Sequence, residues 1–153
     1  MEASFSSKEP VPQRCAPTSN AEASRIHWRA LRILIADDDK DTVQTLAAIL
    51  EDEGHKISPV YKALEVVPAV QSFQPEAVIL DIAMPKMNGY DIAKEIRLRF
   101  TDRPLLIAIS GLLTKERDAL FSKARGGFDH HLPKPCNPDE LLYLLAPVMR
   151  QRR

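Results

Sequence analysis

The stretch AVILDIAMPKMNG, residues Ala77–Gly89, decides the fold. Four apolar residues, Ala77 to Leu80, end abruptly on one carboxylate, Asp81. A loop with Met84-Pro85 and a turn at Asn88-Gly89 follow at once. A short apolar run bounded by turn signals reads as a strand buried on both faces, as in a parallel sheet. Such a strand delivers its last side chain to the carboxyl edge of the sheet, where α/β folds place their ligands. Asp81 is that side chain. In isolation an Asp after a strand is a turn-former; the rest of the chain gives it a second reading.

Upstream, Ile33-Leu34-Ile35-Ala36 repeats the pattern and ends on Asp37-Asp38-Asp39. Val43, Leu46, Ala47 and Leu50 then fall on one helical face, and Gly54 supplies a stop. Lys56–Tyr61 reads as a weak strand, and Pro59 within it predicts an edge position, because proline cannot donate to a ladder. A short helix lies within Ala63–Phe73, with Pro68 either beginning or kinking it.

Downstream, Ile92, Ala93, Ile96 and Phe100 make another amphipathic helix. Leu105–Ile109 is a strand running into Ser110-Gly111. Thr114 can cap a helix carrying Ala119, Leu120 and Ala124, closed by Gly126-Gly127. A strand over Phe128–Leu132 leads to Lys134-Pro135. Asn137-Pro138-Asp139-Glu140 is a helix start, and the helix with Leu141, Leu142, Leu144 and Leu145 is predicted to stop near Pro147.

Strands alternating with helices five times imply an α/β fold. The expected architecture is a flavodoxin-like (βα)5 unit: a five-stranded parallel sheet of order 2-1-3-4-5 with helices on both faces. That order makes the second strand an edge, which suits Pro59. It also sets the first and third strands side by side, so Asp37, Asp38 and Asp81 converge.

The totals fit one soluble domain. The chain has 153 residues, 44% hydrophobic and 27% charged. Lys+Arg and Asp+Glu are both 21, so no basic excess points to nucleic acid. Cys15 and Cys136 form no CxxC motif, which suits a reducing cytosol, and no apolar run is long enough for a signal peptide core or a membrane span. Residues 1–24 are rich in Ser, Pro, Ala and Glu and read as a disordered tail. Arg25–Arg32 is a transition in which Trp28 either packs or faces a partner. The expected division is residues 1–30 as tail and lead-in and 31–153 as the domain, with no output domain.

Three carboxylates at one sheet edge repel one another, by about 4 kcal/mol for charges ~4 Å apart at an effective dielectric near 20. A cation relieves them, and hard oxygen ligands suit Mg²⁺, with Mn²⁺ as a substitute. The same edge receives a hydroxyl, Ser110, and an amine, Lys134. A metal, an ammonium and a hydroxyl around one carboxylate are what phosphoryl transfer to an Asp requires.

The pieces ILIADDD, ILDIAMPKMNG, AISG and HLPKP occur in order, and with them the chain from about Arg32 to Pro147 resembles the receiver domain of two-component response regulators. The resemblance implies that Asp81 accepts phosphate from a histidine kinase or a histidine phosphotransfer protein. It implies that Asp37 and Asp38, with Asp81 and the main-chain carbonyl of Ala83, hold Mg²⁺. Ser110 and Lys134 would each meet a phosphoryl oxygen, and the Lys134-Pro135 bond would be cis. The implied protein is a cytoplasmic, stand-alone regulator rather than an enzyme. Phosphorylation would reshape a face built from the helix after Ser110, the last strand and the last helix, which then binds an effector or a second copy. A relay intermediate that passes the phosphate on is the alternative.

One departure concerns the switch position three residues before the lysine, where such domains often carry Tyr or Phe. Here it is His131; histidine as a residue type can change charge around physiological pH, which predicts pH-sensitive coupling. Pro133 removes a donor from the last strand and predicts a looser final loop. His130 and His131 are adjacent strand residues and point to opposite faces, which argues against a metal pair.

Rival readings fit less well. Asp39-Lys40-Asp41-Thr42-Val43 matches the DxDx[TV] pattern of haloacid-dehalogenase-like phosphohydrolases, but Asp39 is the third residue out of its strand rather than the first. Asp37, Asp39 and Asp41 mimic an EF-hand start, yet Thr42 stands where Gly is needed and Ala48 where Glu is needed. A phosphate-independent binding module is the remaining class.

Overall fold

A computed structural model of the chain describes residues 28–111 and 127–150. The predicted tail over 1–24, with Cys15, and the predicted helix over Thr114–Ala124 fall outside the described residues.

The central strand is the apolar run that ends on Asp81. Strand β3 (Ala77–Asp81) is buried at all five positions. It lies parallel between β1 (Arg32–Ala36) and β4 (Leu105–Ser110). Strands β2 (Lys56–Val60) and β5 (His130–Pro133) close the two edges, so the order is β2-β1-β3-β4-β5, all parallel.

Alternation along the strands builds two cores. Ile33 and Ile35 of β1 and Ile79 of β3 point to one face, where they meet Val43 and Leu50 of α1 (Lys40–Asp52). Leu34, Val78 and Leu80 point to the other face, where they meet Val66 and Val70 of α2 (Ala63–Phe73) and Ile92 and Ile96 of α3 (Gly89–Arg99). Leu141 and Leu145 of α4 (Pro138–Met149) join the first face. Burying one such Leu or Ile side chain contributes about 1.5–3 kcal/mol, so a sheet covered on both faces is the arrangement that hides every apolar run.

The helix ends follow local chemistry. Asp39 caps α1, accepting from the Asp41 amide at 3.1 Å and from the Thr42 hydroxyl at 2.7 Å. Asn88 and Asn137 cap α3 and α4 by the same two-residue reach, at 2.8 and 2.9 Å. After α1 the chain turns at Gly54 with φ +91°, a left-handed conformation that glycine adopts without the Cβ clash.

Prolines sit where the ladder does not need them. Pro59 is on edge strand β2, as its sequence implied. Pro133 lies on the opposite edge strand. The Lys134 amide beyond it donates to the Ser110 carbonyl at 3.0 Å, so the proline nitrogen faces away from β4 and the strand end stays tied. The expected looseness from Pro133 therefore has no source in the ladder. Pro68 lies inside α2 rather than at its start.

Two boundaries differ from the sequence reading. Helix α4 does not stop near Pro147 but runs to Met149, with the Arg150 amide still donating to the Ala146 carbonyl at 3.1 Å. Proline deletes only one helical bond, and flanking bonds close the final turn. Strand β5 begins at His130 rather than Phe128; Asp129 just before it is tied to Leu106 twice, its amide donating to the Leu106 carbonyl and its carboxylate accepting the Leu106 amide, both at 2.8 Å. Phe128 instead turns into the α2–α3 core. Trp28 packs only in part; it is 52% exposed, bridges Arg150 in an antiparallel β-contact and lies under the Arg150 guanidinium at 6.0 Å.

Candidate functional site

The carboxyl ends of β1, β3 and β4 bring the nominated side chains to one edge. Asp37 follows β1 directly and is fully buried, Asp38 is exposed, and Asp81 ends β3 at 3% exposure. One carboxylate oxygen from each lies within 4.8 Å of the others. Like charges that close repel by about 3–4 kcal/mol per pair at an effective dielectric near 20.

The three aspartates of the Asp37-Asp38-Asp39 run take separate duties. Asp39 turns back to cap α1, and its bonds to Thr42 and to the Asp41 amide hold its carboxyl below the usual range. Asp37 turns inward, where its Oδ1 accepts the Asp39 amide at 3.0 Å. Asp38 stays at the mouth. The acidic run is thus partly a helix cap and partly a site.

Lys134 arrives from the end of β5. Its Nζ lies 2.7 Å from Asp37 Oδ2 and 3.3 Å from Asp81 Oδ2. Partial burial alone pulls this ammonium down, but the two carboxylates outweigh it and hold Lys134 above the ordinary lysine value. The peptide bond to Pro135 is cis. Ser110 ends β4 at 6% exposure, one residue beyond the Asp81–Ile109 pairing. Its carbonyl is the acceptor for the Lys134 amide, which fixes the hydroxyl-bearing residue and the amine-bearing residue to each other.

The loop after Asp81 is fastened by main-chain bonds. The Ala83 amide donates to Asp81 Oδ1 at 3.1 Å, and Ile82 donates to the Ile109 carbonyl at 3.1 Å. Gly89 donates to the Ile82 carbonyl at 3.0 Å. A Cβ on Gly89 would stand 2.7 Å from Ile82 Cα and 2.9 Å from the Asp81 carbonyl oxygen. The close approach of α3 to the aspartate's own backbone is the reason for glycine there. From the sequence it read only as a turn.

His131, on β5, packs edge-on against Phe128 at 5.6 Å and lies 6.4 Å from the Tyr90 ring. Three rings therefore meet beside the β4–β5 pair. This trio was not foreseen, since Tyr90 on α3 is remote in the chain from Phe128 and His131.

Sequence reasoning also missed Arg97. Its guanidinium donates to the Gly127 carbonyl at 2.9 Å, the Pro104 carbonyl at 2.8 Å and Asp129 at 2.7 Å. An arginine on an amphipathic helix looks solvated, and its partners are remote in the chain.

The donor set fits a hard divalent ion. Three carboxylates and one ammonium leave a formal charge of two negatives, which one divalent cation balances. Among the described residues no other group of three His, Cys, Asp or Glu side chains converges in this way, and no helix is long and apolar enough to cross a membrane.

Comparison with known proteins agrees with the geometry. The family model for the response regulator receiver domain matches residues 33–146. Response regulator MprA of Mycobacterium avium (strain 104) is 28% identical over 126 residues, covering 80% of this chain and 53% of that protein. The chain thus spans about half the length of the curated relatives it matches. Among solved structures, a CheY-like response regulator receiver domain protein from Methanospirillum hungatei JF-1 is 28% identical with a TM-score of 0.68, over 79% of this chain and 94% of that one. The signal receiver domain of a DNA-binding response regulator from Colwellia psychrerythraea 34H is 27% identical with a TM-score of 0.70, over 78% and 98%. The chain belongs to the response regulator receiver domain family, whose role is regulatory.

Proposed function

We propose that Asp81 is the phosphoacceptor and that a histidine kinase or histidine phosphotransfer protein is the donor. A carboxylate oxygen of Asp81 forms the new P–O bond while the P–N bond of the donor phosphohistidine breaks, and the donor imidazole leaves with the electron pair. The observation that carries this is the meeting of Asp37, Asp38 and Asp81 within 4.8 Å, with the Lys134 ammonium 3.3 Å from Asp81.

Asp37 and Asp38, with Asp81 and the main-chain carbonyl of Ala83, would hold Mg²⁺ or Mn²⁺. Such an ion, when bound, neutralises charge on the transferred group. Lys134 would follow a phosphoryl oxygen once Asp81 is modified, and the Ser110 hydroxyl would donate to another. The phosphoryl group adds about −1.5 to −2 charge and biases the loop after Ser110 between two arrangements.

The output would be read on β5 and α4, with His131 as the coupling residue. Support comes from Tyr143, 78% exposed on α4, and from a cavity of about 400 Å³ between His130, His131, Asp139, Glu140, Tyr143 and Leu144. An effector protein or a second copy would dock there, in the cytoplasm, without direct contact to nucleic acid.

Acetyl phosphate with Mg²⁺, read by intact mass, tests the assignment. One phosphoryl group on the native chain and none on Asp81→Asn is the expected result. Full labelling of Asp81→Asn would overturn it.

A further inference from the structure

The edge of the sheet opposite Asp81 carries a second concavity, of about 550 Å³. Four arginines line it: Arg29, Arg32, Arg99 and Arg103. They come from the lead-in to β1, from β1 itself, from the end of α3 and from the loop before β4. Two carboxylates, Glu76 and Asp102, share the lining.

The charges there are unevenly used. Glu76 is fully engaged: Oε1 pairs with Arg29, and Oε2 accepts the Arg32 amide at 3.1 Å. Arg32 spends only Nε, on the Gln74 carbonyl at 2.9 Å, which leaves its two terminal nitrogens open. Arg29 Nε is buried with no acceptor. Arg103 makes no ion pair or hydrogen bond among the described residues. Arg99 pairs with Glu95 one helical turn away, but at 61% exposure that pair is weak and easily exchanged. Unspent guanidinium donors from three segments therefore face one hollow.

Guanidinium forks match phosphate oxygens two at a time, which is the reason for clustered arginines in phosphate recognition. The hollow is too large for a lone phosphate; its size falls among cavities that hold small organic ligands, roughly 300–1,000 Å³. Phe100 and Pro104 give it an apolar wall against which a flat ring can lie. Asp102, which has no hydrogen-bond or ion-pair partner among the described residues, is an acceptor suited to a sugar hydroxyl. We propose that this cavity binds a nucleoside phosphate, its phosphates on Arg32 and Arg103 and its base along Phe100. The proposal is independent of the reading of Asp81, which lies at the other end of β3.

The molecule carries its own reporter. Trp28 is the only tryptophan, half-exposed and adjacent to Arg29. ADP titrated into the full chain, in EDTA so that no cation bridges it to the acidic edge, should change Trp28 fluorescence saturably. Calorimetry should give the same affinity. Arg103→Ala and Arg32→Ala should each weaken binding by about tenfold, while Asp81→Asn should bind like the native chain. Because Arg32 also anchors the Gln74 carbonyl, Arg103→Glu at the open rim serves as the second variant, with circular dichroism confirming its fold. Adenosine should bind far more weakly than ADP, and so should pyrophosphate. No saturable signal, equal binding by pyrophosphate, or ADP affinity that survives Arg103→Glu would each overturn the proposal.

Discussion

The Lys134 ammonium stands 2.7 Å from Asp37 and 3.3 Å from Asp81. The lysine is therefore the counter-ion of a fully buried carboxylate as well as a neighbour of the candidate phosphoacceptor. Removing it leaves Asp37 charged, buried and facing two other carboxylates. Lys134→Ala should lower stability by about 1–3 kcal/mol, below the value for a deeply buried pair because Lys134 is a quarter exposed. Millimolar Mg²⁺ should narrow the gap, since an ion can replace the lost charge. Urea denaturation with and without Mg²⁺ checks this; a gap that Mg²⁺ leaves unchanged would count against the metal site.

Gly89 is held by contact rather than by an unusual dihedral. A methyl group there must displace the Ile82 backbone, which is part of the loop that carries Asp81. Gly89→Ala should cost about 1–3 kcal/mol and slow labelling of Asp81 by acetyl phosphate. Native stability with native labelling kinetics would show that the close approach relaxes freely.

Arg97 and Asp129 should behave as one unit. The Asp129 carboxylate accepts both from Arg97 and from the Leu106 amide at the start of β4. A double-mutant cycle of Arg97→Ala and Asp129→Ala should give a coupling of about 1–2 kcal/mol. Additive losses would mean that the Gly127 and Pro104 carbonyls account for the arginine's contribution.

His55 is 4% exposed, and its Nδ1 accepts the Leu31 amide at 3.1 Å. Burial pushes its pKa below the ordinary histidine value, with Glu53 opposing weakly. The folded chain thus takes up its proton at lower pH than the unfolded chain does. Stability should be unaffected by this group above the unfolded value near 6.5 and should fall as pH drops below it, by at most about 1.4 kcal/mol per unit for one proton. Urea midpoints at pH 7.5, 6.5 and 5.5, compared with those of His55→Gln, isolate this term. An equal slope in the variant would assign the acid loss elsewhere.

His131 packs beside the touching Phe128 and Tyr90 rings and shares a cavity lining with Asp139 and Glu140 of α4. Charging the imidazole in that setting alters its packing with both rings. Partner capture dependent on a beryllofluoride phosphate mimic should vary between pH 6 and 8 in the native chain and lose that variation in His131→Phe. An unchanged profile in the variant would remove His131 from the coupling.

The order of elements was legible because β1 and β3 are short continuous apolar runs and apolar residues recur at helical spacing in α1 and α3. Asp37, Asp38, Asp81, Ser110 and Lys134 could be nominated for a related reason: each sits at or just beyond the carboxyl end of an expected strand, and parallel strands deliver all such positions to one edge. The extension of α4 past Pro147 and the late start of β5 were not legible. The first rests on the Arg150 amide still reaching the Ala146 carbonyl past the proline, and the second on the meeting of Asp129 with Leu106, whose positions are far apart in the chain.

Local pattern alone therefore determined the fold class, the edge position of Pro59 and the residues that could form an acidic site. Only the tertiary structure decided which aspartate is buried beside Lys134 and why residue 89 must be glycine. Those outcomes are set by distances of 2.7–3.3 Å between groups from different elements. A carboxylate's role follows from the nearest donor or charge: sequence neighbours supply it for Asp39, and the fold supplies Lys134 to Asp37 and Asp81.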